Sequence, residues 1–290
     1  MMKGLFNYER AYRTYTRLCL EDFSDDNIQY AEIRPNFMQT NQVWKDDGSE
    51  QFNNEEIMDL IIEEYNKFQK GHERKTVKGL KIIYCTPRSF SKEQVEEMLN
   101  ECLDFKKKPK FERWIAGFDL VGEESKGNTL NTFAEVFIQF KEDCRAAKVD
   151  IPFLLHCGET LDFGTDTDGN LFDALLLGSK RIGHGFALPR HPYVMEQMKK
   201  KGVCVEVCPI SNEILGLTPR INGHAIYNLL ANNVHCTIST DNGTLFRYAI
   251  SLQATPLTDY RISLPLSDFT VLISLFLPPA HVQISLFRIL

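Results

Sequence analysis

Phe153-Leu154-Leu155-His156-Cys157-Gly158-Glu159-Thr160 is a short apolar run that ends by presenting an imidazole and, three residues later, a carboxylate. One of these groups can bind metal while the other moves a proton. A histidine at a strand end is by itself more often a packed side chain than a ligand, but two companions in the sequence change that balance. Arg181-Ile182-Gly183-His184-Gly185-Phe186 sets His184 between glycines, where backbone approaches a ligand closely and the ring is poorly shielded. Cys236-Thr237-Ile238-Ser239-Thr240-Asp241-Asn242-Gly243 ends an apolar run on Asp241, a carboxylate that would cost several kcal/mol to bury unpaired. A metal ion resolves that cost.

Working outward, these runs belong to a longer rhythm. Gln29 to Ile33, Gly79 to Tyr84, Trp114 to Val121, Ile151 to His156, Arg181 to His184, Val203 to Val207 and Val234 to Ser239 read as strands. Asn54 to Phe68, Lys92 to Phe105, Thr129 to Ala147, His191 to Lys200 and His224 to Asn232 carry apolar residues at helical spacing. Strand, helix, strand at this repeat implies parallel pairing, and strands apolar at consecutive positions imply burial on both faces. An open doubly wound sheet shares that signature. A closed TIM-type (β/α) barrel is favoured because Glu32, Asp119, His156 with Glu159, His184, Glu206 and Asp241 recur at strand carboxyl ends, which in a barrel converge on one mouth. Seven strands leave the barrel one short, and the sequence predicts the first strand to be missing ahead of residue 1. The rhythm stops after about Arg247. The expected organisation is an incomplete barrel over 1–247 with a divergent apolar tail over 248–290 that forms no domain of its own.

At 290 residues the chain suits a single barrel of roughly 250 residues. Its net charge of -6 gives no reason to expect nucleic acid or an anionic membrane surface, so a small-molecule partner is expected. Eight scattered cysteines without a Cys-x-x-Cys pair read as buried free thiols. The amino terminus carries no secretory signal pattern, and the apolar stretch from Phe269 to Leu277 is cut by Pro278 and Pro279 below the ~20 residues of a spanning helix.

The sequence resembles the adenosine deaminases, most closely their growth-factor-related extracellular subfamily, from about Lys3 to about Asp241. The matching segments are Ile115-Ala116-Gly117-Phe118-Asp119-Leu120-Val121-Gly122-Glu123-Glu124, the His-Cys-Gly-Glu element at 156–159, Arg181 to Leu188, Glu206-Val207-Cys208-Pro209-Ile210-Ser211-Asn212 and Ser239-Thr240-Asp241. The resemblance implies a zinc-dependent hydrolase that attacks C6 of adenosine, and of deoxyadenosine, with a zinc-activated water, giving inosine and ammonia. It implies that His156 and Asp241 are zinc ligands, that Glu159 exchanges a proton with purine N1, and that His184 is the base beside the water. It further implies that Gly122 offers its backbone N–H to the purine, with Asn242 at the N7 edge. An extracellular location and a homodimer are implied in the same way, although the visible amino terminus reads equally well as cytoplasmic.

Three departures stand beside the match. No two of the seven histidines are separated by one residue, so the family's His-x-His pair of zinc ligands has no counterpart here. Asn242 stands where the family has a second aspartate, with Gly243 for a usual proline, and the tail after residue 247 lacks the closing helices. The favoured reading is a shortened form of a working deaminase; the alternative is a metal-deficient nucleoside-binding or interaction protein. Metal-dependent hydrolases of other amines or cyclic amides form a further class, since fold alone does not decide substrate.

Among the remaining candidates, Glu206 reads as barrel wall and Asp119 as a residue behind the site, orienting loops or capping backbone. His191 and His224, at helix starts, read as capping or surface residues, and His72, His235 and His281 have no supporting neighbours. Asn242-Gly243-Thr244 matches a glycosylation acceptor that would block the expected mouth and is discounted. The Lys106 to Lys110 run reads as a solvated helix end.

Overall fold

The computed structural model describes residues 6–35, 37–38, 43–71 and 76–241, and the backbone of three short strands in the tail. β1 (Tyr30–Pro35), β2 (Gly79–Pro87) and β3 (Ile115–Val121) pair in parallel. β4 (Leu154–Cys157), β5 (Arg181–His184), β6 (Cys204–Val207) and β7 (Cys236–Ile238) form a second parallel set. The sets meet where the backbone N–H of Phe118 donates to the Pro152 carbonyl at 3.0 Å. This order, with helices between strands, is that of a TIM-type (β/α) barrel.

The helices form where sequence chemistry starts and stops them. Ser91 caps α3 (Lys92–Lys107): its hydroxyl accepts from the Gln94 N–H while the Gln94 side chain accepts from the Ser91 N–H, satisfying two otherwise orphaned donors. Pro192 opens α6 (Pro192–Lys200), where a missing N–H costs nothing. α2 (Asn54–Gly71) and α4 (Ala134–Ala147) occupy the expected helical stretches. Three helices lie outside those stretches, the last of them a short one after β6. α1 (Glu9–Asp25) buries Tyr12, Tyr15, Thr16, Cys19, Leu20 and Phe23, a three- and four-residue spacing, against α2. In α5 (Asp166–Leu176), Gly169 dilutes the apolar pattern, but the Thr165 hydroxyl accepts from the Asp168 N–H at its start. The short α7 (Pro209–Ile214) and α8 (Ile226–Ala231) complete the described helices.

The tail, read from the sequence as divergent and without a clear period, contributes three short strands. Its backbone forms β8 (Thr270–Val271), parallel to β7, and β9 (Ser274–Leu277), parallel to β1, with β10 (Val282–Leu286) antiparallel to β9 and β1. The unpaired N–H and C=O groups on the outer edges of β1 and β7 are a template for added strands, which is why an apolar run lacking helical periodicity can still pair there.

Between the strands and α4, Phe118, Phe137, Phe140 and Phe153 cluster with ring centroids 5.1–6.4 Å apart, each such pair adding about 0.5–1.5 kcal/mol beyond its area burial. Beside them lies a buried ionic layer. Arg34 pairs with Asp119 at 2.7 Å and Glu206 at 2.9 Å, while Arg181 pairs with Glu206 at 2.8 Å and with Glu32. Glu206 is thus part of the barrel interior. Glu32 is a correction to the expected mouth: its partners are Tyr30 and Arg181, the first residue of β5, at the opposite end from the strand termini that carry the site.

Candidate active site

Three strands of one parallel set, β4, β5 and β7, deliver the site. Past the end of β4 the chain turns through Gly158 at φ +75° and presents Glu159, while β5 ends on His184 at φ +61°, a left-handed conformation uncommon outside glycine. Beyond β7, Asp241 adopts φ +55°. Strained backbone at three such points turns side chains inward at the cost of order 1–3 kcal/mol for each non-glycine residue. Donor atoms of Glu159, His184 and Asp241 all lie within 4.8 Å of one another. His156 stands beside them, its ring centroid 5.0 Å from that of His184. The four residues singled out from sequence therefore meet in one place. Gly122 follows β3 at φ +111°, next to the Arg88 side chain, whose guanidinium donates to the His156 carbonyl at 2.8 Å. Asn242 and its glycosylation pattern lie outside the described residues, as do His72 and His281.

His156 is the most firmly held member. Asp119 accepts from its backbone N–H at 2.9 Å and from Nδ1 at 2.6 Å, and Asp119 is itself braced by Arg34. Donation from Nδ1 makes Nε2 the unprotonated ring nitrogen, the arrangement by which a carboxylate orients a metal-binding imidazole. Burial works against the Asp119 charge, but His156 and Arg34 outweigh it and hold the carboxyl below its ordinary range. The backbone capping expected of Asp119 is realised on the His156 N–H, and the group it orients is the His156 ring.

Glu159 Oε1 lies 3.0 Å from His184 Nδ1. Burial disfavours charge on both, yet Glu159 and the Cys208 thiol lift His184 well above its usual value, and His184 pulls Glu159 below the carboxylate range. Burial alone would have raised Glu159; the neighbouring imidazole reverses it. Asp241 goes the other way. Its burial, reinforced by the Glu159 charge, raises its carboxyl, although Ser211 donates to it at 2.5 Å. Two carboxyl groups thus share a buried pocket with a single imidazole between them, and such a pocket is stabilised by a cation. Nitrogen and carboxylate oxygen donors suit zinc, which takes three protein ligands in a catalytic site. Donor atoms of Glu159, His184 and Asp241 lie close enough together to hold one divalent ion, and His156 stands beside them.

Several supporting residues had weaker signals in the sequence. Glu124 accepts from the N–H groups of Gly158 and Glu159 and from Asn170, fixing the loop that carries Glu159. Ser211 and Asn212 open α7 just past β6 and reach Asp241 and His184. His191 is neither free nor a ligand, with Nε2 2.8 Å from Asp168. His224 is a correction to a surface reading: it is 3% exposed, and its Nδ1 accepts the Ile226 N–H, so the capping half of the expectation holds. In the lysine run, Lys107, Lys108 and Lys110 make exposed ion pairs while Lys106 is half-buried and donates to two backbone carbonyls.

Comparison with known proteins agrees with this geometry. The family model described as adenosine deaminase matches residues 2–265. The chain is 34% identical over 245 residues to adenosine deaminase 2 of Homo sapiens and 35% identical over 243 residues to an adenosine deaminase of Aedes albopictus. Each match takes in 84% of this chain but only 46% and 43% of those relatives, so the chain spans less than half their length. Among solved structures, it superposes on the N6-methyl-AMP deaminase of Arabidopsis thaliana with a TM-score of 0.70 at 19% identity, covering 90% of this chain and 70% of that one. An amidohydrolase from Burkhoderia ambifaria with bound zinc gives a TM-score of 0.68 at 17% identity, over 90% and 66% of the two chains. These structural likenesses establish the shared fold.

Proposed function

Because this chain belongs to the adenosine deaminase family, we propose that it carries the catalytic half-site of a zinc-dependent deaminase that converts adenosine, and deoxyadenosine, to inosine and ammonia. The observation that carries the proposal is the meeting of Glu159, His184 and Asp241 within 4.8 Å, beside His156, at the carboxyl ends of β4, β5 and β7. Zinc, when bound, supplies a water whose pKa falls from 15.7 to about 7.

In this reading Asp241 and His156 hold the ion, and the Asp119 contact keeps His156 aimed at it. Addition of water oxygen to purine C6 breaks aromaticity, so N1 must gain a proton. Glu159 supplies it, and its carboxyl must be protonated when substrate is bound; displacing the His184 contact removes the influence that lowers it. His184 takes the proton released by the water. Protonation of the amino group and cleavage of C6–N6 then release ammonia, and the atoms balance as adenosine plus water giving inosine plus ammonia. Gly122 offers its N–H to the purine, and Asn242, an amide that both donates and accepts, is assigned to the N7 edge. A secreted, homodimeric form is part of the same reading by relationship to adenosine deaminase 2. Among the described residues no helix is long and apolar enough to cross a membrane.

The seven histidines contain no His-x-His pair, so this chain contributes fewer zinc ligands than its family's pattern. Zinc analysis of the purified chain, together with rates on adenosine, deoxyadenosine, AMP and adenine, tests the proposal. Bound zinc with adenosine among the best substrates is expected. Absent zinc and no turnover would leave a nucleoside-binding protein, and adenosine as the poorest substrate would overturn the substrate assignment.

A further inference from the structure

We infer that Glu124 is a positioning residue for the deamination proposed above, on which this inference rests. It aims Glu159 by gripping the backbone of its turn and leaves the Glu159 side chain free to change partners. The Glu159 carboxyl has to leave the His184 imidazole, 3.0 Å away, to reach purine N1. A side chain that exchanges partners cannot also be what fixes its own position, so the fixed point must lie in the main chain that carries it. Three donors converge there on the Glu124 carboxylate, which is 2% exposed. Oε1 accepts the Gly158 N–H at 3.0 Å and the Asn170 amide at 2.8 Å, and Oε2 accepts the Glu159 N–H at 2.5 Å.

Each part of this clamp is itself held. Asn170 is fully buried in α5, and its Oδ1 accepts the Leu130 N–H at 2.8 Å, so Nδ2 is the atom it turns toward Glu124. Ser125 and Thr160, the neighbours of Glu124 and Glu159 in sequence, meet through their hydroxyls at 3.3 Å. Gly158 lets the turn form: its φ is +75°, and a Cβ there would sit 3.0 Å from the Leu171 side chain. At the far end of the Glu124 loop, a Cβ on Gly127 would fall 2.4 Å from Cγ of the buried Arg88, whose carbonyl accepts the Asn128 N–H at 3.2 Å. The loop is thus packed shut on Arg88, which in turn donates to the His156 carbonyl.

The clamp has a consequence for the purine. Gly122, read above as the backbone donor to the base, precedes Glu124 by two residues. One short stretch of chain therefore carries both the group that would hold the base and the group that holds the Glu159 turn, and it sets the span between them while the carboxyl swings. Glutamine at 124 keeps the shape but presents an NH2 in place of one oxygen. Gly158 and Asn170 claim the remaining oxygen, so the NH2 faces the Glu159 N–H, donor against donor, and the turn has to move.

Hydrogen exchange read residue by residue on the purified chain, alone and with inosine, together with steady-state kinetics on adenosine, tests the clamp. In wild type the Gly158 and Glu159 amides are expected to be protected equally with and without inosine. In Glu124→Gln they are expected to exchange about tenfold faster or more, with kcat falling about 10–100-fold, KM within about threefold of wild type and zinc content unchanged. Unprotected amides in wild type, protection lost on adding inosine, or a variant whose defect lies in KM alone would overturn the clamp. The wild-type exchange comparison decides the matter if Glu124→Gln does not fold. Amides that behave as expected in a chain that fails to deaminate adenosine would refute the proposed activity and leave the clamp standing. Deamination with a kcat indifferent to Glu124→Gln would do the reverse.

Discussion

Asp119→Asn tests the contact that aims His156. Asp119 is completely buried, accepts from the His156 backbone and from His156 Nδ1 at 2.6 Å, and pairs with Arg34 Nε at 2.7 Å. The last two share one oxygen. Asparagine keeps one acceptor oxygen and presents an NH2 in place of the other, so either the His156 backbone N–H or His156 Nδ1 together with Arg34 Nε must face a donor. Charge-assisted bonds are worth about 1.5–3 kcal/mol each, and removing one partner of a buried pair costs about 3–5 kcal/mol. Arg34 retains Glu206, which places the expected loss near the lower end, about 3 kcal/mol. Zinc affinity should fall about 10–100-fold, since the ring that Asp119 orients is free to turn. The sign with pH follows from the lowered carboxyl. Its stabilisation is present above the unfolded value of about 3.9 and fades as pH drops through the lower folded value, so the gap between wild type and variant narrows in acid. Denaturant midpoints at constant slope and chelator competition for zinc measure the two effects. A loss under about 1 kcal/mol together with zinc affinity within about twofold of wild type would show that His156 is oriented by something else.

The other expectations are narrower. Glu159→Gln should lower kcat on adenosine by about 10²–10⁴-fold with zinc content unchanged; a drop of less than about tenfold would remove Glu159 as the proton donor. His224, pushed down to about 4 by burial and then by the His184 charge, takes up its proton more readily when unfolded, so stability should fall as pH drops from about 6.5 to about 4, by about 3 kcal/mol. His224→Gln should flatten that part of the stability curve, and an unchanged slope would count against a neutral buried ring. In Gly183→Ala, the new Cβ would sit 3.0 Å from Cγ and Nδ1 of His156, tighter than ordinary contact, and should displace the ring. Zinc affinity is expected to drop about tenfold or more while the folded state persists, and titration of the apo protein with zinc would expose an undisturbed site.

Much of the architecture was legible because its signals are local. Consecutive apolar residues in Val203 to Val205 and Phe153 to Leu155 specify strands buried on both faces, and their alternation with helical stretches specifies parallel order. His156, Glu159, His184 and Asp241 each announce themselves at the end of such a run, where burial of an ionisable group needs a reason. α1 was legible in principle, since Tyr12, Tyr15, Cys19 and Phe23 keep helical spacing, whereas Gly169 masked α5. The tail was not legible, because strand pairing at a sheet edge depends on which edges the rest of the chain leaves open.

Residue types and spacing alone thus determined the fold class and the four side chains at the mouth. Tertiary structure decided the partners: that Asp119 of β3 serves His156 of β4, that Glu32 belongs with Arg181 rather than with the mouth, and that Asn212 and His224 converge on His184. Periodicity reports which face of an element is buried. Which distant side chain waits on that face is set by barrel curvature and strand register, and these in turn set the direction in which Glu159 and Asp241 are shifted by their neighbours.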